Sequence, residues 1–229
     1  MKNKLMLSLW SGVFLMMTLL LMLFSWVGSV YGWHSVQSVF SEEGIRWGLN
    51  HVLNDYVQTS ALGTVLILFM GIGIGMRAGY YNVWKRICLK NHYVSRKERR
   101  SFILSSIIGM CYVLAIVLFI PFLRNVTGTL LHSPFLNGWT YIVSLGLGLM
   151  GMVYGYASNN FRRISQVFDA MAYLITCYAA YFVALFFVVQ FFSVLSYTQL
   201  ALCLGVSNCV VDVVFSVCCY FPLLFCIHK

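Results

Sequence analysis

The sequence predicts an all-α, polytopic integral membrane protein of about six transmembrane helices, and three observations predict it. Of the 229 residues 61% are hydrophobic and only 9% are charged, against roughly 25% charged in an average soluble domain. Mean hydropathy is +0.84. The apolar residues gather in runs of about twenty or more, which at about 1.5 Å per helical residue cross roughly 30 Å of hydrocarbon. The 15 basic residues, set against 6 acidic ones for a net charge of +9, fall mainly between those runs. They therefore read as topology signals rather than as a nucleic-acid surface.

The first apolar run covers 5–31 and follows Lys2 and Lys4. It far exceeds the h-region of a signal peptide and no small-x-small site ends it, so an uncleaved first helix is expected. From Gly32 to Ser60 the chain turns polar. Ser41, Glu42 and Glu43 open an amphipathic stretch through Ile45, Trp47, Leu49, Val52, Leu53 and Tyr56. Ser41 is placed to cap this helix and the two carboxylates favour its N-terminal dipole. Its composition predicts an interfacial helix along the membrane surface.

The second span, 61–79, carries Gly63, Gly71, Gly75 and Gly79 at multiples of four, a smooth strip along one helix face. In lipid, where apolar side chains gain nothing by leaving the tails for one another, such a strip predicts close helix packing. The most basic part of the chain follows, with Lys85, Arg86, Lys90, Arg96, Lys97, Arg99 and Arg100 against Glu98. The remaining spans are expected at 101–123, 139–157, 170–195 and 200–227. Ser144, Gly148, Gly151 and Gly155 lie in the fourth, and Arg162 and Arg163 follow it. Six spans with both termini cytoplasmic place every basic cluster inside. No polar connection is long enough for a soluble domain, so residues 1–229 read as a single membrane domain.

Catalysis has little to work with. His34, His51, His92, His132 and His228 fall in separate loops or at the end, none with a carboxylate partner at helical spacing inside a span, and an enzyme is not expected. Eight cysteines include Cys203, Cys209, Cys218, Cys219 and Cys226 in the last apolar run without a CxxC pair, so neither disulfide nor metal is expected and no cofactor is implied. Asn125-Val126-Thr127 matches a glycosylation acceptor, a pattern common by chance.

Asp212 stands out. It lies in the sixth apolar run with Asn208 and Ser216 one turn to either side, where an ionised Asp costs about 2.5–3.5 kcal/mol. Three roles are open to it: binding a proton or sodium, marking a polar break over 205–212, or sitting protonated and hydrogen-bonded. Gln190, deep in the fifth span, is either a second polar contact or an interhelical hydrogen bond worth on the order of 1 kcal/mol.

With these residues in place, the sequence resembles the AbgT family of p-aminobenzoyl-glutamate transporters. Two blocks carry the resemblance. In EGIRWGLNHVLNDYVQTSALGTVLILFMGIGIGMRAG, from Glu43 to Gly79, the positions of Asn54, Leu62, Gly63, Gly71, Gly73 and Gly79 match the family's amphipathic helix and glycine-rich helix. In Tyr154 to Leu200, a Tyr-Gly turn and basic loop lead to FFVVQFFSVLSYTQL, matched through Gln190, Phe191, Thr198 and Leu200. The resemblance implies a gradient-coupled transporter of p-aminobenzoyl-glutamate or a related folate-type aromatic anion in a bacterial inner membrane. It also implies proton or sodium coupling and a homo-oligomer such as a dimer, and its matched positions Asn54, Gln190 and Thr198 join Asn208 and Asp212, singled out above, as candidate site residues; no nucleic-acid partner is expected. Ala61 replaces the family's Pro, Met76 replaces its Glu, and SSIIGMCYVLAI, from Ser105 to Ile116, lacks the Asp of the family's first hairpin. The second hairpin is not recognisable after Thr198. These departures keep open the alternative of a reduced, non-transporting membrane protein acting through helix packing or oligomerisation.

Overall fold

The computed structural model describes residues 2–33, 36–88, 95–119 and 133–227. Lys90, Asn125–Thr127, His34, His92, His132 and His228 lie outside these. Ten helices form in the described residues: α1 Lys2–Val30, α2 Glu42–Gln58, α3 Ser60–Ala78, α4 Tyr80–Cys88, α5 Arg96–Phe119, α6 Pro134–Ala157, α7 Ile164–Cys177, α8 Ala179–Thr198, α9 Leu200–Cys203 and α10 Asn208–Ile227. Five stretches are long and apolar enough to cross a membrane: Met6–Val30, Glu42–Ala78, Arg96–Phe119, Phe135–Ala157 and Ala179–Thr198. The chain is an all-helical, multi-pass membrane protein.

Two expected spans are divided. The run over 170–195 contains the end of α7 and most of α8, interrupted at Tyr178 (φ −110°, ψ 23°). No Pro or Gly marks that point and the residues on both sides are apolar, so hydropathy runs straight through it. The run over 200–227 opens with one turn, α9, before Gly205 at φ +75° reverses the backbone and α10 begins at Asn208. Only glycine takes that φ without a Cβ penalty. Of the three roles open to Asp212, the break over 205–212 thus has a counterpart in the backbone just before it.

The chain falls into two compact units, 1–63 with 178–229, and 64–177. In the first, α8 is the central element. It is twenty residues without a charge, and Tyr181, Ala184, Leu185, Val188, Val189, Phe192, Val194 and Thr198 are all buried. A helix apolar on every side suits a membrane span or a protein core, and here neighbouring helices bury much of it. Helix α1 is one of them, with Phe14 edge-on to Phe191 at 5.6 Å. Helix α10 is another, with Phe215 against Phe192 at 5.3 Å and the Tyr181 hydroxyl donating to Cys219 O at 3.0 Å.

The cap of α2 forms as its sequence predicts, with Ser41 Oγ accepting from Gly44 N at 3.0 Å, but the helix expected to lie apart along the membrane surface falls within the stretch Glu42–Ala78. Its partner is α8, along which it runs antiparallel. Trp47 stacks on Tyr197 at 4.2 Å near one end, and the Tyr56 hydroxyl donates to Phe182 O at 3.1 Å near the other. Between them Gln190 Nε2 donates to Val52 O at 2.8 Å.

In the second unit, α3 and α6 meet through small residues. Ser144 Oγ donates to Ile67 O at 2.5 Å, and a Cβ on Gly71 would collide with the Ser144 backbone. A Cβ on Gly151 would stand 2.7 Å from Gly75 N. Of the expected strip, Gly71 packs through its missing Cβ, whereas a Cβ on Gly75 would meet nothing within 4 Å and Gly75 takes part only through the backbone that Gly151 approaches. Gly63 faces open space, and Gly79, at φ +86°, ends α3. Gly73, off the strip, turns to α7, where its Cβ would stand 2.6 Å from Ala170 O. Helices α5 and α6 are joined by Ser105 Oγ to Met150 O at 2.7 Å and the Tyr112 hydroxyl to Ile142 O at 2.8 Å. Ile74, Ala78, Val83, Tyr154, Phe161, Val167 and Ala170 form the buried cluster of this unit.

Candidate functional site

A polar cleft of about 920 Å³ opens in the first unit, walled by α2, the start of α3, the second half of α8, α9 and the first two turns of α10. Each wall contributes for a local reason. Helix α2 is amphipathic, and Trp47, His51, Asp55 and Gln58 repeat at three- and four-residue spacing along the face that borders the cleft. Helix α8 turns Ser193, Ser196 and Tyr197 toward it, and the reversal at Gly205 brings back Asn208, Val211 and Asp212.

The polar contents are two carboxylates and their neighbours. The half-buried Asp55 accepts a hydrogen bond from the Ser193 hydroxyl through Oδ2. No described side chain reaches the carboxylate of Asp212. Ser216, expected beside it, instead donates to the Asp212 backbone carbonyl at 2.9 Å. That is a back-bond within α10, and it leaves the carboxylate to the cleft. His51 Nδ1 lies 3.0 Å from Trp47 O. A carbonyl only accepts, so this contact puts a proton on Nδ1. His51, Trp47 and Tyr197 form a continuous stack, with centroids 5.3 Å and 4.2 Å apart. Among the described residues no Lys or Arg lines the cleft, whose charged side chains are the two carboxylates beside an aromatic shelf.

The residues singled out in the sequence divide accordingly. Asp212 and Asn208 line the cleft together. Gln190 lies between α8 and α2 and is spent on Val52 O. Thr198 is fully buried, its hydroxyl donating to Leu195 O at 3.3 Å and its carbonyl accepting from Gln37 N at 3.4 Å. Asn54 is exposed and its amide donates to Asn50 O of its own helix at 3.0 Å. Its neighbour Asp55 is the group in the cleft. Sequence reasoning missed Asp55 because an acid on an amphipathic helix looks like a solvated one. Ser193 was missed because its partner is 138 residues away. The only available signal was the His51–Asp55 spacing, which puts two titratable groups on one helix face.

The profile of the AbgT putative transporter family matches residues 85–217, more than half of the chain. That match takes in the second resembling block and not the first. Among solved structures, the fold is similar to that of the YdaH transporter of Alcanivorax borkumensis, described as having an unusual topology. The TM-score is 0.75 at 16% identity, covering 84% of this chain and 71% of that one. No curated protein matches. Family and structural neighbour are both transporters, which points away from an enzyme.

Proposed function

This chain belongs to the AbgT transporter family, and from that premise we propose that it moves p-aminobenzoyl-glutamate, or a related folate-type aromatic anion, across a bacterial inner membrane as a homodimer, driven by a sodium or proton gradient. The observation that carries the proposal is the cleft, where two carboxylates and an aromatic stack share one cavity.

The chemistry follows from charge. An ionised carboxylate within a membrane protein is costly unless it is protonated, paired or solvated in a cavity. Asp55 with Ser193, and Asp212 with Asn208, offer oxygen ligands of the kind that suit a proton or a hard monovalent cation. With both carboxylates charged, the cleft repels an anion. A bound cation removes that repulsion, so cation and solute bind with positive coupling, and linkage makes the effect reciprocal. The aromatic part of the solute fits against the Trp47–Tyr197 stack, where ring packing adds about 0.5–1.5 kcal/mol. The starts of α3 and α10, at Ser60 and Asn208, border the same cleft, and helix N-termini favour anionic groups.

Transport of labelled p-aminobenzoyl-glutamate into or out of proteoliposomes tests this, with an imposed sodium gradient, an imposed proton gradient, or neither. Net flux is expected under one gradient and not without it, with Asp212→Asn reducing it at least fivefold, the lower end of ordinary coupling energies. Absence of gradient-driven flux for any folate-type anion would leave the framework without the activity.

A further inference from the structure

We propose that the basic end of the second unit, where α4 meets the start of α5, is a binding site for the headgroups of anionic phospholipids. Two independent observations lead there. The first is uncompensated charge. Lys85 on α4 and Arg96, Lys97, Arg99 and Arg100 on α5 are exposed, and none has an acidic partner among the described residues. The nearest acid, Glu98, is already used. Its Oε2 accepts from Ser95 N at 3.0 Å and its Oε1 faces Arg86 at 3.5 Å, while Ser95 Oγ accepts from Lys97 N at 3.3 Å. Ser95 and Glu98 thus cap the N-terminus of α5, so the anion-attracting groups are the side-chain cations and not the helix end.

The second observation is the outer face of α4. Its inner face is fixed by the buried Val83 and by Tyr80, whose ring stacks on Phe102 of α5 at 5.2 Å. The outer face presents Tyr81 and Trp84, 54% and 47% exposed and edge-to-face at 5.7 Å, next to Lys85. Nine residues span only about 13 Å, too short to cross a bilayer. Aromatic rings beside cations on a short amphipathic helix are the composition of the membrane–water interface. Helix α5 continues without a break from Arg100 into its apolar run, so these cations ride at the surface of the membrane that α5 enters. A free phosphate would account for the cations alone. A phospholipid accounts for the cations and for the exposed rings.

Native mass spectrometry of the full chain in neutral detergent, titrated with phosphatidylglycerol or phosphatidylcholine, tests the site. Wild type is expected to retain phosphatidylglycerol at least tenfold more strongly. The variant Arg99→Gln/Arg100→Gln should lose at least tenfold of that retention, because each cation near an anionic surface is worth about fivefold. Trp84→Ala, which leaves the charge intact, should lose severalfold, and Arg46→Gln on α2 should lose none. Equal retention of the two lipids by wild type would overturn the proposal, as would variants that hold phosphatidylglycerol as wild type does. Displacement of the lipid by millimolar inorganic phosphate, with Trp84→Ala unaffected, would overturn it in favour of a free-phosphate site.

Discussion

Replacing Asp55 by asparagine is expected to abolish gradient-driven accumulation of solute while leaving solute exchange in place. The side chain is close to isosteric and can still accept from Ser193, so the α2–α8 contact at Trp47, Gln190 and Tyr56 survives. What changes is charge. Asparagine imitates the cation-loaded carboxylate, so the anion no longer waits for a cation, and the coupling, ordinarily about 5- to 150-fold, is lost. The accumulation ratio should fall to about one, while counterflow of labelled against unlabelled solute continues. Retained accumulation in Asp55→Asn would remove this residue from the coupling site. Loss of both accumulation and exchange, with the fold intact, would make Asp55 a solute ligand instead.

Gly151→Ala is expected to destabilise the α3–α6 seam strongly. The new Cβ would lie 2.7 Å from Gly75 N and 2.8 Å from Gly75 Cα. Both are backbone atoms with no rotamer to escape into, so α3 and α6 must separate and the Ser144–Ile67 hydrogen bond stretches with them. Overpacking of this kind costs about 1–3 kcal/mol, and a rigid backbone contact belongs at the upper end. Gly63→Ala is the matched control. Nothing lies within 4 Å of its added methyl, so helix propensity alone acts and the substitution should be neutral or stabilising by roughly 0.5–1 kcal/mol. Thermal unfolding of the two variants in detergent separates these outcomes. Equal shifts would mean that the seam does not hold the unit together.

The fold was more legible than the site. Apolar runs are read residue by residue, so the first, third and fourth spans emerged close to their observed positions, as did the Ser41 cap, while the second, expected at 61–79, lies inside the longer stretch Glu42–Ala78. The break at Tyr178 was hidden because its neighbours are as apolar as any span. The glycine strip was half legible. Period four marks a face but not its partner, so Gly71, packed on Ser144, was distinguished from Gly63 and Gly75, where an added methyl would meet nothing within 4 Å, only once α6 was in place. Asp212 was conspicuous because an acid in an apolar run is costly wherever it lies. Asp55 was not, since its importance comes from Ser193 and from the return of α10, both far away in sequence. Asn54, prominent through resemblance, turns back on its own helix.

The measurement that bears most directly on the account is labelling of Ser196→Cys in a background otherwise free of cysteine, using a membrane-impermeant maleimide. Ser196 is exposed, lines the cleft and lies one turn from Ser193 without bonding to Asp55. Ser196→Cys is expected to be labelled from water, with p-aminobenzoyl-glutamate slowing the labelling severalfold only when the coupling cation is present, in keeping with linked binding. Met110→Cys, placed at an exposed position on the span of α5, should remain unlabelled. A labelling rate at residue 196 that neither solute nor cation changes, in protein that carries gradient-driven flux, would contradict the assignment of the cleft as the transport site.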